Sequence, residues 1–119
     1  ILNKYMCFTH GGRELSNYST IDWIRSAQEY GCGEIHLTSI DTEGTNQMFP
    51  EDLAELSYSN TRLPLIISGG IRKATDISKF HVKYGINSFS MSSITNIVGI
   101  KIRKLREQLE VMGHEVRAI

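Results

Sequence analysis

Residues 33–41 run Gly-Glu-Ile-His-Leu-Thr-Ser-Ile-Asp, a short apolar strand whose end carries the hydroxyls of Thr38 and Ser39 and the carboxylate of Asp41. A turn through Thr42, Glu43, Gly44 and Thr45 follows. Hydroxyls and a carboxylate at a strand end suit hydrogen bonding to a polar ligand and proton transfer, which is the layout of an active-site rim and not of a core strand. A second run repeats it: Pro64-Leu65-Ile66-Ile67 passes straight into Ser68-Gly69-Gly70, where a backbone without Cβ atoms can approach an anion closely. Two such ends point to strands aimed at one shared ligand.

Each of these residues also has a purely structural role open to it. Asp41 and Glu43 fit helix-cap and turn acids, and Gly69-Gly70 fits a tight strand-to-helix turn. Ser92 and Ser93 fit caps of the last helix. His36 alternates with Ile35 and Leu37 and is expected as a packed or rim histidine, not a base. His10, His81 and His114 share no spacing with acids or cysteines that would make a metal site, so no metal and no cofactor are expected. Cys7 and Cys32 have neither metal spacing nor neighbouring ligands and are expected as reduced thiols of a cytoplasmic protein.

The elements that must position these groups alternate along the chain. Residues 5–9 read as a strand before a turn at Gly11-Gly12, and Ser19 with Asp22 offers a capping-box-like start for a helix whose apolar face is Trp23, Ile24, Ala27 and Tyr30. Gly31 supplies its stop. Residues 34–39 are strand. Pro50, Glu51 and Asp52 have first-turn helix chemistry, with Leu53 and Leu56 facing inward. Residues 65–67 are strand again; Ile77, Phe80, His81 and Tyr84 mark a helix ended by Gly85; residues 88–92 alternate as a strand. Val98, Ile102, Leu105, Leu109 and Met112 then draw the longest amphipathic stripe, stopped at Gly113. Four strand–helix units in this order predict right-handed crossovers in a parallel sheet, an α/β fold. A doubly wound sheet and part of a (βα)8 barrel both fit. The barrel is favoured because Ser68-Gly69-Gly70 and Ser92-Ser93 follow the last two strands, where barrels commonly build a phosphate site.

The chain has 119 residues with 13 basic and 13 acidic side chains, enough for one domain and without the bias of a disordered or solenoid protein. Lys101, Arg103, Lys104 and Arg106 form no nucleic-acid stripe once Glu107 and Glu110 are counted, so they read as a solvated helix face. No apolar run approaches the about 20 residues of a membrane span, and no signal peptide is visible. The chain opens at Ile1 without a methionine, so a processed, truncated or partial sequence is expected.

Gly31-Cys32-Gly33-Glu34-Ile35-His36-Leu37-Thr38-Ser39-Ile40-Asp41 resembles the sixth-strand motif of the cyclase subunits of imidazole glycerol phosphate synthase, and residues 64–70 resemble their seventh. The closing Gly113-His114-Glu115-Val116-Arg117 is similar to that family's C-terminal end. The likeness covers nearly the whole chain but only the C-terminal half of the family's (βα)8 barrel, so residues 1–119 are expected to be a single partial-barrel domain. The resemblance implies a cytoplasmic enzyme of histidine biosynthesis. It would take ammonia from a glutaminase partner, a glutamine amidotransferase, and close an imidazole ring on a phosphorylated ribosyl substrate. It places Glu43, Gly44, Gly69, Gly70, Ser92 and Ser93 around a substrate phosphate, turns Thr38, Asp41 and Ser68 toward the reacting end, and sets Glu34 at the mouth of the ammonia channel.

The departures from the family are specific. Its two catalytic aspartates, on the first and fifth strands, have no counterpart here, because the chain begins just beyond where the second would lie. Asp41 alone is a poor substitute for such a pair. Glu43 stands where the family has the shorter aspartate, Ser92 where it has alanine, and Ile71-Arg72 where small residues follow the glycines; Arg72 could add charge to a phosphate or crowd the loop. Half a barrel leaves sheet edges open, so a partner is expected, either the missing N-terminal half-barrel or a second copy. Two alternatives stay open: a non-catalytic phosphate-binding half-barrel that self-associates, and a paralogue that amidates sugars for surface polysaccharide. A Gly70→Asp change is expected to block a sugar phosphate by placing a carboxylate at the anion site.

Overall fold

A computed structural model describes residues 4–96, 99 and 101–117, with the backbone alone described for Ser93. The central feature is a parallel sheet in the order β3-β4-β5, formed by Ile35–Thr38, Leu65–Ser68 and Ser88–Ser90. Its register sets Thr38 opposite Ser68 and Ser68 opposite Ser90, so the chemistry-bearing ends of all three strands line up. Helices α2 (Glu51–Asn60) and α3 (Ala74–Tyr84) connect successive strands, and α4 (Ser93–Asn96) and α5 (Ile102–Val111) follow the last. This is the α/β architecture with a parallel sheet that the alternating pattern predicts.

The sheet is packed on one face. Ile35, Leu37, Leu65, Ile67 and Phe89 point into an apolar cluster with Leu53, Ile77, Phe80, Leu105 and Leu109 from the helices. Phe49, just ahead of α2, is fully buried and meets Phe80 edge-on at 5.8 Å between ring centroids, the arrangement that the ring quadrupoles favour. Because side chains alternate across a strand, His36, Thr38, Ile66, Ser68, Ser88 and Ser90 are left on the other face, where none is fully buried.

The first strand departs from expectation. Met6–Thr9 (β1) does not join the parallel sheet; it pairs antiparallel with Glu14–Ser19 (β2), a strand the sequence pattern did not announce. The amides of Gly12 and Arg13 both donate to the Thr9 carbonyl at 3.1 Å, and positive φ at His10, Gly11 and Gly12 turns the chain. Three parallel strands, not four, are therefore seen among the described residues. The hairpin stem is tied to the first turn of α2: Tyr5 donates its hydroxyl to Asp52 at 2.6 Å and Lys4 pairs with the same carboxylate. Hydrogen bonds from Lys4 and Tyr5 lower the pKa of Asp52, while burial and the acceptor Asp52 raise that of Tyr5.

Helix α1 (Thr20–Glu29) begins as its residues dictate: Ser19 Oγ accepts from the Asp22 amide at 3.1 Å and donates to the Asp22 carboxylate at 2.6 Å. Its buried face is Thr20, Ile21 and Ile24. Trp23 and Tyr30, expected in the core, are 52% and 89% exposed; they lie beside that face, and Trp23 packs on Tyr18 of the hairpin at 5.1 Å. Helix α3 ends at Gly85, φ 65°, whose amide donates to the His81 carbonyl, the left-handed cap a glycine adopts without strain. The short α4 ends ahead of the long C-terminal stripe, whose described residues belong to α5 and its cap, with Leu105 and Leu109 buried while Ile102 and Met112 are exposed; Val98 lies outside the described residues. Ser92 and Ser93 therefore stand at the short α4, not at the final helix. No helix among the described residues is long and apolar enough to cross a membrane.

Candidate functional site

The C-terminal ends of β3, β4 and β5 bring most of the expected residues to one edge of the sheet. Thr38 Oγ1 and Ser68 Oγ stand 3.3 Å apart on the uncovered face. Asp41 is exposed three residues beyond Thr38 and shares with it a cleft of about 210 Å³ whose opposite wall is the hairpin, through Tyr5, Phe8 and Leu15. Glu43 and Gly44 follow on the same loop, both exposed. Glu34 is not part of this group. It precedes the other end of β3, about 13 Å away at the 3.3 Å rise of a parallel strand.

What holds the loops after β3 and β4 together is a pair of contacts that span them. Thr42, 7% exposed, has its hydroxyl oxygen 2.8 Å from the Gly69 carbonyl and 2.7 Å from Ser39 Oγ. A carbonyl only accepts, so the one Thr42 proton serves Gly69 while the Ser39 hydroxyl donates in turn. The Phe49 amide donates to the Gly70 carbonyl at 3.0 Å. The loop from 39 to 49 is closed further by the Glu43 amide on the Ser39 carbonyl and the Thr45 hydroxyl on the Thr42 carbonyl, at 3.1 and 2.9 Å.

This stitching changes the meaning of the glycines. A Cβ on Gly69 would stand 2.3 Å from the Ser39 carbonyl oxygen, and one on Gly70 would stand 2.5 Å from the Phe49 nitrogen and 2.6 Å from the Gln47 oxygen. With φ at 82° and 109° as well, both positions demand glycine so that one loop can lie on the other. The space freed by the missing side chains is filled by the chain's own backbone, not by an anion. A Gly70→Asp change would therefore disrupt the loops before it could report on a ligand. The amides of Gly69 and Gly70 are a separate matter: neither has a protein acceptor among the described residues.

Arg72 neither reaches toward the loops as a free cation nor crowds them. Its guanidinium makes two bonds to Asp76, 3.0 and 2.9 Å, and its amide donates to the same carboxylate at 3.0 Å. Asp76 is 3% exposed in the first turn of α3, where a carboxylate also meets the positive end of the helix. The pairing raises the pKa of Arg72. Thr42 and the Arg72–Asp76 clamp are the supporting residues that motif reading missed; the only signal in the sequence was Asp76 four residues after Arg72. Ser92 is exposed and its carbonyl accepts from the amides of Thr95 and Asn96 at 3.1 and 2.9 Å, while no hydrogen bond joins its hydroxyl to the other loops among the described residues. No group of three His, Cys, Asp or Glu side chains able to hold a metal occurs among the described residues.

Comparison with known proteins matches the sequence to a family. A family model described as histidine biosynthesis protein covers residues 2–95. Imidazole glycerol phosphate synthase subunit HisF of Chlorobium phaeobacteroides is 33% identical over 114 residues, covering 96% of this chain and 45% of that one. HisF of Bifidobacterium adolescentis is 32% identical over 109 residues (92% and 42%), and that of Endomicrobium trichonymphae 32% over 117 (98% and 45%). The chain thus spans a little under half the length of the curated relatives it matches. The parallel α/β sheet and this similarity agree: the chain belongs to the histidine biosynthesis protein family.

Proposed function

We propose that this chain is the phosphate-binding part of an imidazole glycerol phosphate synthase cyclase, contributing the C-terminal half of its (βα)8 barrel. The observation that carries the proposal is the stitched pair of loops at the ends of β3 and β4 in a chain similar to HisF. Glu43, Gly44, Gly69, Gly70, Ser92 and Ser93 surround a substrate phosphate, with the Gly44, Gly69 and Gly70 amides and the Ser92 hydroxyl as donors. Thr38 and Ser68 hold the reacting end, and Asp41, which lines one cleft with Thr38, is the carboxylate that accepts or returns a proton there. Glu34, at the far end of β3, stands at the mouth of the path by which ammonia arrives from a glutaminase subunit. The completed cyclase inserts that ammonia and closes the imidazole ring, forming imidazole glycerol phosphate and releasing aminoimidazole carboxamide ribonucleotide in the cytoplasm. The two aspartates that the family uses belong to the other half of the barrel, so residues 1–119 by themselves bind phosphate without completing the reaction.

β3 and β5 each pair on one side only among the described residues, and the sheet face bearing His36, Thr38, Ser88 and Ser90 is exposed. That favours association, with an N-terminal half-barrel or with a second copy of the chain. The test of the phosphate site is calorimetric titration of the chain with ribose 5-phosphate. Ser92 directly precedes α4, a place where Asp and Asn serve as well as Ser, so Ser92→Asp keeps the fold and adds a charge. Ser92→Asp should weaken binding about tenfold or more through like-charge repulsion, and Ser92→Asn should not. Equal affinity of all three proteins, or no binding by the native chain, overturns the site.

A further inference from the structure

We propose that Ser90 is a third ligand-contacting hydroxyl, which with Thr38 and Ser68 forms a neutral row that recognises the polyhydroxylated chain of a phosphosugar; the inference rests on the phosphate site proposed above. The sheet register sets Thr38, Ser68 and Ser90 side by side on three neighbouring strands. Their orientation follows from their neighbours. Leu37 and Phe89 pack against the apolar cluster, and Ile67 is fully buried within it, so the residues that follow them point to the opposite face. Thr38 and Ser90 are exposed there, and the Thr38 and Ser68 hydroxyls already stand 3.3 Å apart.

The sequence of β5 supports a wet face. Parallel strands buried on both sides are near-continuous apolar runs. β5 instead reads Ser-Phe-Ser, and β3 sets His36 and Thr38 on the same side. Among the described residues Ser90 Oγ makes no hydrogen bond, whereas Thr38 and Ser68 reach each other. The row lies at the carboxyl ends of the strands, the end at which α/β sheets receive ligands. Three strands about 4.8 Å apart span roughly 10 Å, long enough to meet a sugar chain at more than one hydroxyl.

The chemistry divides the ligand between two places. Thr38, Ser68 and Ser90 carry no charge and can each donate and accept, which suits sugar hydroxyls. An anion would go instead to the amides and hydroxyls of the glycine-bearing loops. Ser90 therefore sets specificity for what the phosphate is attached to and not for the phosphate itself.

The test is titration of the chain with ribose 5-phosphate and, separately, with inorganic phosphate. Ser90→Val suits a strand and removes the hydroxyl; it should weaken ribose 5-phosphate about fivefold, the size of one neutral hydrogen bond, and leave inorganic phosphate unchanged. Ser90→Ala should act likewise, and Ser90→Thr should restore the sugar phosphate. Unchanged ribose 5-phosphate binding in the Val and Ala variants overturns the role of Ser90 alone. Equal loss for both ligands also overturns it, since the effect would then lie in the phosphate loops. Failure of the native chain to bind either ligand overturns the phosphate site and this inference with it.

Discussion

Thr42 is the residue on which the candidate site depends most. Replacing it by valine keeps the volume, removes the contacts to Gly69 and Ser39, and strands a buried carbonyl, a loss of about 1–3 kcal/mol. Urea unfolding of Thr42→Val should show that drop, and ribose 5-phosphate binding should weaken with it as the two loops part. Thr38, Asp41 and Ser68 were legible in the sequence because a polar residue ending an apolar run is a local signal. Thr42 and the Arg72–Asp76 clamp were not, because their value depends on which loops meet. The glycines were legible as necessary but not in purpose: their missing side chains make room for Ser39, Gln47 and Phe49, a fact of tertiary contact.

Among the elements, those with a buried stripe were readable and those without one were not. β2 is exposed at most positions, so it carries no alternation to betray it, and residues 5–9 read in sequence as the opening of a strand–helix unit. Trp23 and Tyr30 follow the helical period but flank the buried face at Ile21 and Ile24, since period alone does not fix which way a helix is turned. The packing of α2 on α3 has a measurable electrostatic part. Hydrogen bonds from Lys79 first and Lys83 second hold the Glu51 carboxyl down to about 2, from an ordinary 4.5. A depressed carboxyl contributes stability that is complete above its unfolded value and is lost as pH falls through the folded one. The urea midpoint should therefore fall as pH drops from 4.5 toward about 2. In Glu51→Gln that fall should be shallower; an identical pH profile would contradict the tie.

At the scale of the molecule, a parallel sheet that among the described residues has one covered face and two singly paired edges is an unfinished surface. Parallel sheets are normally covered on both faces. Sedimentation equilibrium of the purified chain should find a self-associated species that ribose 5-phosphate tightens; a monomer indifferent to the ligand would count against association as the partner of this face. The α/β class and the order of the parallel strands could be read from the sequence because each apolar run is closed by its own turn residues. The number of strands in the sheet could not, because strand direction is decided by neighbours.

The bonds that join the loops after β3 and β4, Thr42 to Gly69 and Phe49 to Gly70, begin and end within 29 residues of chain. Their donors and acceptors are therefore inherited together. A recombination joint placed ahead of Gly33 would carry the loop geometry intact into another polypeptide, whereas a joint between Asn60 and Leu65 would marry donors from one ancestor to acceptors from another. The segment is in this sense a unit of exchange, and its seams lie where no such bond is cut.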